Sequence, residues 1–208
     1  MKENPTVAPT TAIPTLDEAG RSLLFTDART ANTFADTPVS DAELTAIWEL
    51  AKWPPTSANT QPLRVLFVRT TEGKDRLLPH MSEGNREKTA AAPVVAVLAR
   101  DVAFHEFMPE VMPHREGMDA LFAGNDDLRE FTSEFNAALQ SGYFILAVRA
   151  NGLAAGPMLG FDKAGIDAEF FPDGRWKSVL VVNIGHPGEH AWFDRLPRLD
   201  PDTSVKFV

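Results

Sequence analysis

The chain has 208 residues, with 20 basic against 29 acidic side chains, a net charge of −9 and no cysteine. Its length suits one domain able to bury a core beside a ligand pocket, and 44% apolar with 24% charged residues is the balance of a folded protein. The acidic excess argues against nucleic acid and anionic membranes as partners, while the missing thiols exclude disulfides, thiolate nucleophiles and iron–sulfur clusters.

Residues 1–15 carry Pro5, Pro9 and Pro14 among threonines, with no apolar run behind Lys2. They read as a flexible arm rather than a signal peptide, and residues 16–208 as a single domain. A first helix is expected from Leu16 to about Ala28, burying Leu16, Ala19, Leu23 and Leu24. Ser40 and Glu43 form a capping-box pattern for a second, with Leu44, Ile47, Trp48 and Ala51 at helical spacing. Pro54 and Pro55 end it. Strands are expected at 64–69 and 94–99, with helical material at 72–90 between them. The apolar stretch Ala90–Ala99 is interrupted by Pro93 and falls short of the roughly 20 residues of a membrane span, so a soluble, cytoplasmic protein is expected. Residues 101–126 scatter Phe, Met and His among prolines and glycines and read as an irregular insertion or lid. A long helix follows over 127–151, its second half nearly all apolar and suited to the centre of a fold or a subunit interface. An apolar Gly/Pro loop (152–161), a short helix, a strand at 178–184 and a tail complete the chain.

Familiar signals are missing: no Walker loop and no G-x-S-x-G elbow occurs, and Gly152, Gly156 and Gly160 are not spaced as a Rossmann turn. His186-Pro-Gly-Glu189-His190 matches a zinc pattern in letters only. That chemistry needs a helix, which Pro187 and Gly188 break, so no metal is expected there.

Two loops carry the polar chemistry. Thr56, Ser57, Asn59 and Gln61 place four hydrogen-bonding side chains between Pro55 and Pro62, either framing the polar edge of a planar ligand or making an ordinary turn. At 152–161, Gly156 and Gly160 permit close backbone approach while Pro157, Met158 and Leu159 offer apolar contact. That combination suits a heteroaromatic ring, or a tight helix-to-strand connection. Three basic residues stand near such segments: Arg29 beside Thr30 and Asn32, Lys88 one turn after Asn85, and Arg198 in the tail.

Five segments in order, Ala28–Phe34, Pro55–Pro62, Asn85-x-x-Lys88, Gly156–Asp162 and Leu196-Pro-Arg198, resemble the FMN-dependent nitroreductase family. Within it, the runs TPVSD, PTSAN and GPMLGFD are most similar to the branch that contains malonic semialdehyde reductase. The resemblance implies an α+β fold, a central mixed but mainly antiparallel sheet flanked by helices, in an intertwined homodimer with FMN at the interface. It places Arg29, Thr30, Asn32 and Arg198 at the ribityl-phosphate end. Pro55, Thr56, Ser57 and Asn59 would reach the flavin ring from the partner chain. Asn85 and Lys88 would face its polar edge, and the backbone of Gly156, Pro157, Met158, Leu159 and Gly160 would pack near N5. Ala28 and Asn32 flank a single Arg29 where family members often carry two basic residues, so phosphate neutralisation leans on Arg198. The implied activity is ping-pong hydride transfer from NADH or NADPH to a small electrophile: a semialdehyde, or alternatively a nitroaromatic or quinone. A flavin-binding dimer without turnover is the non-enzymatic alternative. No side chain is assigned as a covalent catalyst. Arg100, His105, His114 and Arg115 are candidates for substrate selectivity.

Overall fold

Alternate residues of one strand face two different cores. The computed structural model describes residues 13–208, and in it β2 (Val94–Asp101) is buried along nearly its whole length. Val94, Ala96 and Leu98 point into one apolar cluster and Val95, Val97 and Ala99 into another, the period of two turned to packing on both faces. Around it lie β1 (Leu63–Val68), β3 (Ala154–Met158) and β4 (Trp176–Gly185), in the order β1-β2-β4-β3. Every pair among these strands is antiparallel.

The first cluster is closed by α2 (Asp41–Ala51) and α7 (Asp126–Ala150) through Leu44, Ile47, Phe144, Ala147 and Val148. The capping box of α2 is formed, Ser40 and Glu43 each bonding the other's backbone N–H. The second cluster is closed by α3 (Thr71–Leu77), α4 (Glu83–Ala91) and α8 (Lys163–Phe170), with Leu77, Ala92, Ile166 and Phe171 packed below β2. α7 starts at Asn125, whose side chain accepts from the Leu128 N–H, and its 25 residues run about 37 Å.

Three expectations change. The helix expected to Ala28 is a single α turn, α1 (Glu18–Arg21), followed by a π turn over Ser22–Thr26, and neither buries a residue. Leu16 and Leu23 are 48% and 49% exposed, because no element among the described residues lies over that face. Residues 152–161 are not a loop throughout: Ala154–Met158 pair with β4. Pro157 is tolerated because β3 is an edge strand. Ala155 turns its carbonyl outward to the Ala31 N–H, so Pro157, two residues on, has its missing N–H on the open side. Residues 101–126 are ordered as short helices, including α5 (Met108–Val111) and α6 (Met118–Ala123), around a core of Phe104, Met108, Met118 and Phe122. The tail ends in a short α9 (Pro201–Ser204).

The arm expected over residues 1–15 lies, up to residue 12, outside the described residues. Among those described, no helix is long and apolar enough to cross a membrane.

Candidate functional site

The segment after the π turn is laid on the head of β3 by backbone bonds from Ala31 N to Ala155 O and Asn32 N to Ala191 O, both 3.0 Å. The fit is close: a Cβ at Gly156 would sit 2.8 Å from the Ala31 carbonyl oxygen. This brings Arg29, Thr30 and Asn32 together with Arg195 and Arg198 of the tail around a cleft of about 180 Å³, with Asp194 also lining it. Arg29 donates to Phe193 O (2.8 Å), Arg195 to Ala28 O (3.0 Å) and Arg198 to Leu196 O (2.9 Å). Among the described residues none of these guanidiniums has a carboxylate partner. Each keeps further donors free, and three such forks suit a multiply charged anion.

An adjoining cavity of about 200 Å³ is walled by Leu23, Leu153, Ala155 and Trp192 and edged by Arg149. The Arg149 Nε is buried without a partner among the described residues. Burial, and then repulsion from Arg195, pull this guanidinium below the usual arginine range.

At the far end of β3, Leu159 is exposed and the Gly160 carbonyl accepts from the Asn85 side-chain amide (2.9 Å) and the Ser82 N–H (3.0 Å). A Cβ at Gly160 would lie 2.6 Å from the Asn85 amide nitrogen. Lys88, one turn on in α4, is half-buried. Gly156 is buried within the strand, and Met158 packs into the core beside Thr89 and Asn183. Pro157, Leu159 and Gly160 reach the surface. The edge from residue 155 to 160 therefore runs roughly 16 Å from the arginine cleft to Asn85.

The 55–62 segment lies elsewhere. It contains a 3₁₀ turn, Ser57–Asn59, and three non-glycine residues at positive φ: Ala58 (50°), Asn59 (54°) and Gln61 (43°). Polar groups of α7 hold it from below, Asn136 Oδ1 accepting from Ser57 N (2.8 Å) and Gln140 Oε1 from Leu63 N (3.0 Å). The Asn59 side chain donates to Val111 O (2.7 Å), and Thr56 Oγ1 accepts from Gln61 N. Pro55 is exposed. This loop leads into β1, at the opposite edge of the sheet from β3, three strand spacings or about 14 Å away. Within one chain it does not meet the arginine cleft.

Of the selectivity candidates, Arg100 is engaged by Glu130 and Ser133. His114 and Arg115 are exposed, and His105 has a buried Nδ1 without a partner among the described residues. His186 to His190 follows β4 as a non-helical turn, with His190 at φ 52°.

Residues 26–186 match the profile described as the Nitroreductase family. The chain belongs to the nitroreductase family. A Streptomyces coelicolor protein, provisionally named NADH dehydrogenase/NAD(P)H nitroreductase, is 65% identical over 187 residues, 90% of this chain and 93% of that one. The structure of a provisionally assigned nitroreductase in complex with FMN, from Exiguobacterium sibiricum, covers 95% of this chain and 100% of its own, with a TM-score of 0.80 at 21% identity. That of a provisionally assigned NAD(P)H:FMN oxidoreductase from Staphylococcus epidermidis covers 94% of this chain and 98% of its own, with a TM-score of 0.79 at 19% identity. Likeness at such identity is likeness of fold.

In this nitroreductase chain, sequence reading passed over Arg195 and Arg149 at the cleft and Asn136 and Gln140 under the 55–62 loop. The signals were available. Arg195 and Arg198 flank a proline in one short run, and Asn136 and Gln140 are four apart on the inward stripe of a long helix.

Proposed function

We propose that this chain is an FMN-dependent NAD(P)H oxidoreductase, acting in the cytoplasm as a homodimer of one FMN-binding domain spanning residues 16–208. Three guanidiniums without carboxylate partners among the described residues, at the head of an open strand edge, carry this reading. The residues fit FMN. Its phosphate bears about −1.5 to −2 charges at neutral pH, which Arg29, Arg195 and Arg198 would hold with Thr30 and Asn32. The edge Pro157–Gly160 and the neighbouring Asn85 and Lys88 would receive the ring. The chemistry FMN supplies when bound is two-electron hydride transfer by a ping-pong cycle, from a nicotinamide to an electrophile. The chain's part is to neutralise the phosphate, to present a rigid edge, and to place the Lys88 ammonium where negative charge on the ring is stabilised.

The distance between the 55–62 loop and the cleft supports a site shared between two copies, Pro55, Thr56, Ser57 and Asn59 coming from the partner. Exposed apolar surface supports it too: Phe131 and Phe135 of α7 are 67% and 55% exposed and stacked on each other, and Trp53 is 75% exposed.

For the substrate we assign a small semialdehyde, malonic semialdehyde reduced to 3-hydroxypropionate, on the resemblance of the PTSAN and GPMLGFD runs to that branch. A general nitroaromatic or quinone reductase is the second reading, favoured by the name of the Streptomyces coelicolor relative. Purified protein should be yellow and bleach anaerobically with NADH or NADPH. Reoxidation by malonic semialdehyde rather than a nitroaromatic supports the first reading, and the reverse supports the second. A colour that no nicotinamide bleaches would leave a passive flavin binder; colourless protein that refuses added FMN sinks the proposal. Arg198→Glu should lose its flavin on dialysis, and retention of full colour would remove Arg198 from the phosphate end.

A further inference from the structure

Asp101, at the end of β2, is 1% exposed, yet its carboxylate is fully engaged. Arg64 Nη2 donates to Oδ2 (2.9 Å), Arg175 Nε to Oδ1 (3.1 Å) and Nη2 to Oδ2 (3.3 Å), and the Ala103 N–H to Oδ1 (2.9 Å). The ring of Phe107 lies within 5.5 Å of both guanidiniums.

Each donor carries a different piece of the molecule. Arg64 also donates through Nη1 to Gln61 O (2.9 Å), the last strained residue of the 55–62 loop, and the Asp101 N–H bonds Pro62 O (2.9 Å). Ala103 opens the 101–126 segment, and Arg175 reaches Glu106 inside it (2.9 Å). The circuit closes at the far side, where the Asn59 side chain holds Val111 O. Three positive-φ residues in one short loop persist only when their surroundings over-determine them; α7 holds this loop from below, and the Asp101 carboxylate is the point where its constraints from β1 and from the 101–126 segment meet.

We propose that Asp101 is a positioning residue, fixing the 55–62 loop and the 101–126 segment as one rigid body, the face this chain offers to the flavin site of a second copy. The link to flavin rests on the function proposed above; the mechanical coupling does not. Losing the carboxylate frees both segments together, and the loop then meets the ring without its geometry. The prediction is specific in space: the loop and the insertion loosen as a pair while the sheet and α7 do not.

The test is amide hydrogen exchange on the flavin-free protein, with FMN affinity measured in parallel by fluorescence quenching. In Asp101→Asn, amides of 56–61 and 103–112 should lose protection together, and FMN affinity should fall on the order of tenfold through lost preorganisation. Arg64→Lys guards against a variant that does not fold. It keeps the charge beside Asp101 but gives up the fork that reaches Gln61, so the loop should loosen alone, FMN should bind more weakly, and the thermal midpoint should change little. Uniform loss of protection in both variants, or an unchanged loop in Arg64→Lys, overturns the proposal. If wild-type protein binds no FMN while Asp101→Asn still shows the paired loosening, the flavin reading is refuted and the coupling stands.

Discussion

Residues 55–62 and 152–161 both combine proline with small residues, yet the chain treats them in opposite ways. The second segment is regular. Its glycine lets two backbones meet, its proline falls on an open edge, and its polar groups enter a ladder. The first has left-handed residues without glycine; side chains from α7 and β1 hold its backbone in place, and its own Asn59 side chain donates to the Val111 carbonyl of α5. One segment is rigid through its own pairing and the other through its neighbours. Substitutions should therefore act locally in the second and at a distance in the first.

That contrast can be broken in order of size. Gly156→Val forces a side chain against the Ala31 carbonyl and should cost about 3 kcal/mol by overpacking. Chemical denaturation would read it, and an unchanged midpoint would contradict the close approach. Asn136→Leu lies outside the loop but strips the Ser57 N–H of its acceptor, and should cost about 2 kcal/mol with loss of exchange protection at Ser57. Gln61→Gly and Gly152→Ala form an opposed pair. Gln61 and Gly152 both have positive φ, and no atom stands within 4 Å of a Cβ at Gly152. The first should gain and the second lose about 0.5–1 kcal/mol. Equal signs in thermal unfolding would show that backbone conformation does not govern these positions. Pro157→Ala should stay within about 0.5 kcal/mol, because the N–H it restores faces away from β4. A large loss would place Pro157 inside a ladder rather than at its edge.

Much of the fold was legible. The α2 capping box, the apolar runs of β1, β2 and β4, and the long helix declare themselves because burial and periodicity coincide there. β3 did not, since Ala-Ala-Gly-Pro-Met lacks β-branched residues and is a strand only because β4 lies beside it. The first helix was over-extended because its leucines obey helical spacing while finding no cover among the described residues. At the site, Arg29, Thr30, Asn32 and Arg198 were named from sequence and do converge. Arg195 and Arg149 were not, because a tail arginine and a helix-end arginine look like solvated charges until the chain folds back on itself. Asn136 and Gln140 were hidden for another reason. Each satisfies a backbone group of a distant segment, and no local pattern announces such a bond.

Phe34 has a consequence for how the molecule is put together. A Cβ at Gly188 would lie 2.9–3.0 Å from the Phe34 backbone, and one at Gly185 would lie 3.1 Å from its ring. Its segment docks on residues far along the chain, and Arg195 crosses 167 positions to bond Ala28. Contacts of such separation carry a high loop-closure cost until the intervening chain is ordered. The arginine cleft is therefore a late product of folding, assembled once β3 and β4 exist to receive Phe34. In refolding from denaturant, the circular dichroism of the sheet should return before the FMN binding proposed for this cleft does.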